Sequence, residues 1–153
     1  MRIFMMGLAA AIVGSSLQAQ EAYVGVALDY ATPHAGDDQG LASLLAGGSY
    51  DLGQLSIGAE VEYGASVALA GDYDTLRYRL MGGYDFDGFT ALASLGGTRY
   101  NAGDASITGF NFGLGGQFAV TDALDMRVEM VRDIMDVVEN HTTTTRFSAI
   151  YSF

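Results

Sequence analysis

The sequence contains no cysteine, no lysine and a single proline, Pro33. Without cysteine there is no disulfide framework, no thiolate metal site and no cysteine nucleophile. All seven basic residues are arginines, set against 18 Asp and Glu, and the formal net charge is −11. That balance argues against binding of nucleic acid or an anionic surface through basic patches. Beyond residue 19 no apolar run approaches the ~18 residues of a membrane-crossing helix, which excludes a helical membrane protein. Helix-period segments long enough to bury the hydrophobic half of the composition are also missing. What the chain does have is glycine, tyrosine and alternation, the marks of long strands.

The N-terminus reads differently from the rest. Arg2 precedes an apolar run from Ile3 to Val13, followed by Gly14-Ser15-Ser16 and Ala19. A charged start, an apolar middle and a small residue at the cut predict a secretory signal peptide over 1–19. Residues 20–153 are then one mature domain, with no linker inside it.

The last residues carry the clearest pattern. Phe147, Ala149, Tyr151 and Phe153 share one face of a strand, and Arg146, Ser148 and Ser152 the other. Seven earlier segments resemble it, giving expected strands at 22–31, 41–50, 55–66, 73–86, 89–100, 106–120, 124–135 and 142–153. Each is close to or above the ~9–11 residues a tilted strand needs to cross a bilayer. Residues 51–54, 87–88 and 121–123 form tight connections. Asp87-Gly88 between Phe86 and Phe89 is the strongest hairpin signal, because a type I′ turn needs positive φ at both central positions. The connections 32–40, 67–72, 101–105 and 136–141 are longer or more polar. The fold class is thus all-β: an eight-stranded antiparallel up-and-down transmembrane β-barrel behind a cleaved signal peptide.

A membrane barrel must keep charge off its outer face, so the parity of every strand is a test. Val24, Val26, Leu28 and Tyr30 fall on one face, with Asp29 on the other. Leu55, Ile57, Ala59, Val61 and Tyr63 oppose Glu60 and Glu62. Leu76, Tyr78, Leu80, Tyr84 and Phe86 oppose Arg77, Arg79 and Asp85. Leu124, Met126, Val128 and Met130 oppose Asp125, Arg127, Glu129 and Asp133. Arg99 and Arg132 break the rule, but both sit near the longer-loop end, where a long side chain reaches lipid head groups. The second strand is ambiguous, since Leu41, Leu44 and Leu45 cannot share a face. A soluble barrel would show the reverse arrangement. Aromatics gather at both strand ends, Tyr23, Tyr50, Tyr84, Phe86, Phe89, Phe118, Tyr151 and Phe153 at one and Tyr30, Tyr63, Tyr73, Tyr78, Tyr100 and Phe110 at the other, and most are expected in two interfacial girdles.

The interior cluster comprises Asp29, Glu60, Glu62, Arg77, Arg79, Arg127, Glu129 and Arg146. Hairpin pairing sets Glu62 opposite Arg77 and Glu60 opposite Arg79, and brings Glu129 near Arg146. Closure of the barrel sets Asp29 beside the last strand. Eight strands enclose a space just wide enough for side chains to fill, so these charges are expected to plug the barrel by satisfying one another. A narrow channel or porin for small solutes is the alternative.

Catalytic and metal chemistry find little support. His141 has Glu139, Thr142 and Thr144 nearby, but a hydroxyl nucleophile needs a base oriented by a third group. His34 stands alone in a loop. The acidic residues Asp37, Asp38, Asp72, Asp74, Asp104, Asp136 and Glu139 suit Ca²⁺ or Mg²⁺, yet lack EF-hand spacing and read as a solvated rim. Gly113-Leu114-Gly115-Gly116 lies inside a strand and is no phosphate loop. No catalytic residue, cofactor or metal is expected.

With its alternating strands and terminal Tyr151-Ser152-Phe153, the mature chain resembles the small outer-membrane β-barrel family of Gram-negative bacteria: the opacity-like, "porin family" and OmpA/OmpX-type barrels. The resemblance implies an integral, monomeric outer-membrane protein with both termini periplasmic and longer loops extracellular. It implies a structural or surface-interaction role, in contact with membrane lipid and lipopolysaccharide. Phe147, Ala149, Tyr151 and Phe153 would be the segment read by the barrel-assembly machinery, after periplasmic chaperones. A lipid-modifying outer-membrane enzyme is a further alternative. The loops are short and there is no peptidoglycan-binding domain, which leaves little basis for a long-loop adhesin or a cell-wall tether.

Overall fold

The structure, a computed structural model, describes residues 21–68, 73–136 and 141–153. The expected signal peptide, Asp72 and Glu139 lie outside the described residues. Eight strands follow one another: β1 (Glu21–Pro33), β2 (Gln39–Asp51), β3 (Leu55–Ala68), β4 (Asp74–Asp85), β5 (Phe89–Ala102), β6 (Ala105–Ala119), β7 (Leu124–Met135) and β8 (His141–Ser152). Each is antiparallel to its neighbours, and β1 closes against β8, so the sheet is an up-and-down barrel with no free edge. Every strand begins and ends within two residues of the sequence expectation.

One connection differs. The segment 101–105 is expected among the longer or more polar connections; it is polar but not long, because β5 and β6 run on to Ala102 and Ala105 and are joined by Gly103-Asp104 alone. Gly103 supplies the positive φ (59°) that so short a turn requires. At the other end Asp87 (φ 66°) and Gly88 (φ 105°) make the expected two-residue turn, and the Asp85 carboxylate accepts the Asp87 amide at 2.9 Å. Gly88→Val should cost about 1–2 kcal/mol, the penalty of a left-handed backbone on an L-residue. Urea titration of the refolded variant would measure it.

Side chains alternate as a barrel in lipid requires. Leu28, Leu44, Leu80, Leu114 and Met130 point outward and are exposed, while nine charged residues point inward and are buried. The β2 ambiguity resolves with Leu41 and Leu45 inside and Leu44 outside. Inward glycines make room for bulk: a Cβ on Gly47 would fall 2.5 Å from the Tyr23 ring. The Phe153 amide donates to the Ala22 carbonyl at 3.0 Å, which puts both Ala22 and Phe153 at the end of the barrel that carries the turns 52–54, 86–88 and 120–123.

Candidate functional site

The interior is the most elaborate chemical feature of the molecule. Strand pairing aligns Glu62 with Arg77 and Glu60 with Arg79, as the hairpin register requires. The Arg77 Nη1 donates to Glu62 Oε1 at 2.7 Å, and the Arg79 guanidinium is paired with Glu60. Barrel closure aligns Asp29 with Arg146, whose Nε and Nη2 grip the two carboxylate oxygens at 2.7 and 2.8 Å. Such a two-point fork is the strongest geometry an arginine–carboxylate pair adopts.

The remaining bonds cross the lumen. Arg77 Nη2 reaches Asp133 on β7 at 2.8 Å. Arg79 Nη1 reaches Glu129 at 2.9 Å, Arg127 Nη1 reaches Glu60 at 2.6 Å, and Arg146 is paired with Glu62. Glu129 and Arg146 are register neighbours. Their ion pairs nevertheless run elsewhere, Glu129 to Arg79 and Arg127, and Arg146 to Asp29 and Glu62. Four guanidiniums and the five carboxylates of Asp29, Glu60, Glu62, Glu129 and Asp133 thus form one continuous network. Neutral groups complete it. Ser43 donates to Asp29 at 2.7 Å, Thr98 and Tyr100 donate to Asp133 at 2.5 and 2.9 Å, and Asn111 donates to Thr98 at 2.7 Å.

Three tyrosines expected in the girdles belong to this interior. Tyr23 is 7% exposed, donates to Glu60 at 3.1 Å and lies 5.5 Å beneath the Arg127 guanidinium. Tyr100 meets Arg77 in the same way at 5.9 Å and stacks on Tyr73. The signal was available for Tyr23 and Tyr73, which have the parity of the inward charges Asp29, Arg77 and Arg79, and Tyr100 has the parity opposite to the outward Arg99. Asp85 does not join the interior; it is exposed at the 86–88 turn. Asp125 sits half-buried at the mouth and accepts from Gln117. There a polar cavity of about 210 Å³ reaches inward as far as Tyr23, Met81, Arg127 and Ile150.

The outer surface is apolar apart from its rims. Phe147, Tyr151 and Phe153 are exposed on it and Ala149 is partly covered. Arg99 and Arg132 point outward, and Arg99 bonds to Asn101 at 3.0 Å. His34 and His141 stack across the β1–β8 seam with ring centroids 4.5 Å apart. Thr142 and Thr144, the hydroxyls beside His141 in sequence, face the lumen instead, where Thr144 accepts from Arg77 at 3.4 Å. Among the described residues no group of three or more His, Asp or Glu is placed to hold a metal ion.

No protein-family model and no curated protein matches the chain. Solved structures do. The chain is similar to Neisserial surface protein A, with a TM-score of 0.65 at 17% identity over 87% of this chain and 96% of that one. It is similar to the N-terminal β-barrel domain of Pseudomonas aeruginosa OprF, with a TM-score of 0.64 at 13% identity over 86% and 97%. It is also similar to Ail, the attachment invasion locus protein of Yersinia pestis, with a TM-score of 0.57 at 14% identity over 87% and 97%. A closed eight-stranded antiparallel barrel is the fold this chain shares with small outer-membrane barrels.

Proposed function

We propose that the protein is an integral, non-conducting outer-membrane barrel that serves envelope structure or surface interaction and has no catalytic centre. The observation that carries this reading is the interlocked interior, in which Arg77, Arg79, Arg127 and Arg146 are each at most 3% exposed and each holds at least two carboxylates. A solute would have to part several buried ion pairs at once. The turn-rich end with both chain ends faces the periplasm in this reading, and the His34–His141 end faces outward. The exposed terminal aromatics suit recognition by the assembly machinery, and the uninterrupted apolar belt suits a monomer in lipid. The outward His141 and inward Thr142 and Thr144 speak against a hydroxyl nucleophile at the rim.

Planar-bilayer recording tests the central claim. Wild-type protein refolded from detergent should show no stable conductance. Discrete openings that change in Glu60→Ala would overturn it, because Glu60 joins Arg79 to Arg127 across the lumen.

A further inference from the structure

We propose that the β1–β8 seam is a binding site for one phosphorylated outer-leaflet lipid, its phosphomonoester held by Arg132, His141 and His34 and an acyl chain seated in the groove below. This rests on the outer-membrane reading, and two separate features of one strip of wall carry it.

The first is a cluster of cations. Arg132 lies on the outward face of β7, opposite Thr143 of β8. Arg132 and His34 are the charged neighbours acting on the His141 ring. The His34 amide donates to the His141 carbonyl at 2.8 Å, which fixes the two rings side by side. Among the described residues the Arg132 side chain has no hydrogen bond or ion pair, its backbone being paired in the sheet. The nearby carboxylates are otherwise engaged or turned to solvent: Asp38 accepts the Tyr30 hydroxyl, Asp136 accepts from Thr108 at 2.8 Å, and Asp37 is exposed. Glu139 lies outside the described residues. An arginine on the lipid face of a barrel, with two imidazoles beside it, wants an anion at head-group level.

The second feature is the groove. Down the same seam the outward pairs are Thr32 with Thr143, Tyr30 with Thr145, and Leu28 with Phe147. At the level of Phe147 the wall opens into an apolar groove of about 410 Å³, bounded by Leu28, Leu44, Met126 and Phe147 above the small side chains of Ala42 and Ala149. His141 and Phe147 are six residues apart, about 20 Å along a strand, and hydroxyls fill the interval. The seam therefore runs from cations through hydroxyls to an apolar slot, in the order of a lipid's phosphate, polar backbone and chain.

The test is native mass spectrometry of the folded chain released from phosphatidylcholine nanodiscs doped with bisphosphorylated lipid A. Wild type should retain one lipid A. Arg132→Gln with His141→Gln should lower retention about tenfold, the effect of losing one or two charge-assisted hydrogen bonds. Ala149→Phe, which fills the groove, should lower it as well, and Arg99→Gln, away from the seam, should not. Dephosphorylated lipid A should not be retained, and inorganic phosphate should not displace the lipid. Equal retention of the dephosphorylated lipid, an equal loss in Arg99→Gln, or displacement by phosphate would each overturn the proposal. Heat-modifiable migration of every variant reports folding separately. An Arg132→Gln with His141→Gln variant that folds, does not conduct and still retains lipid A as wild type does would sink this inference while leaving the barrel reading intact.

Discussion

Arg146→Met should lose about 3–5 kcal/mol of stability, because removing one partner from a buried ion pair leaves the other charged and unsolvated. Two carboxylates lose a partner here, and Asp29 loses its main one. Arg146 forks onto Asp29 and is also paired with Glu62, and all three side chains are buried. Glu62 retains Arg77, but Asp29 keeps only Ser43 and a longer 3.9 Å approach to Arg77. The cause can be separated from lost packing. Adding Asp29→Asn and Glu62→Gln to Arg146→Met removes the orphaned charges and should recover most of the loss. Urea titration in phosphatidylcholine vesicles, with the folded fraction read from heat-modifiable migration, gives the midpoints. A triple variant no more stable than Arg146→Met would show that the guanidinium was not holding these carboxylates.

The second large effect lies one residue from an arginine that the protein tolerates. Leu80→Arg should cost about 2–4 kcal/mol in a bilayer, the penalty of a cation at mid-depth on the lipid face. Leu80 is 61% exposed on the outer wall, while its neighbour Arg79 is buried and bonded to Glu60 and Glu129. Adjacent positions thus carry opposite rules, separated only by the pleat. Leu80→Gln should cost less, since it adds polarity without charge. If Leu80→Arg unfolds at the same urea concentration as wild type in vesicles, the outer wall does not face lipid.

Much of this architecture follows from local pattern, and the part that does not has a geometric cause. The pleat forces Glu60 and Glu62 onto the face of Arg77 and Arg79, and a hairpin forces them opposite, so those pairs are readable from β3 and β4 alone. Closure of an even-stranded barrel similarly places β1 beside β8 and Asp29 beside Arg146. The bonds from Arg77 to Asp133, Arg127 to Glu60 and Arg146 to Glu62 join strands that share no edge. Which residues meet across the lumen depends on strand tilt and stagger, and no pairwise pattern along the chain states these. Glu129 illustrates the limit: its place beside Arg146 is legible, and its bonds to Arg79 and Arg127 are not. The tyrosines are a different case. Distance from the strand ends points Tyr23 and Tyr100 to the girdles, whereas parity puts Tyr23 with Asp29 and Tyr100 on the face opposite Arg99. The 101–105 connection looked like a loop because Asn101, Gly103 and Asp104 are turn formers, yet two of those residues suffice for the turn.

The fork between Asp29 and Arg146 also bears on how the molecule is assembled. It joins positions 117 residues apart, and the second partner of Arg146, Glu62, is 84 residues away. Until β8 docks on β1, a nearly complete sheet holds carboxylates at membrane depth without their cation. A seven-stranded intermediate is then penalised twice, by an open edge and by uncompensated charge. Sealing the wall and neutralising the interior become a single event. The chain should commit to its native form in one late, steep step, and a truncated or misregistered product has no comfortable place to rest.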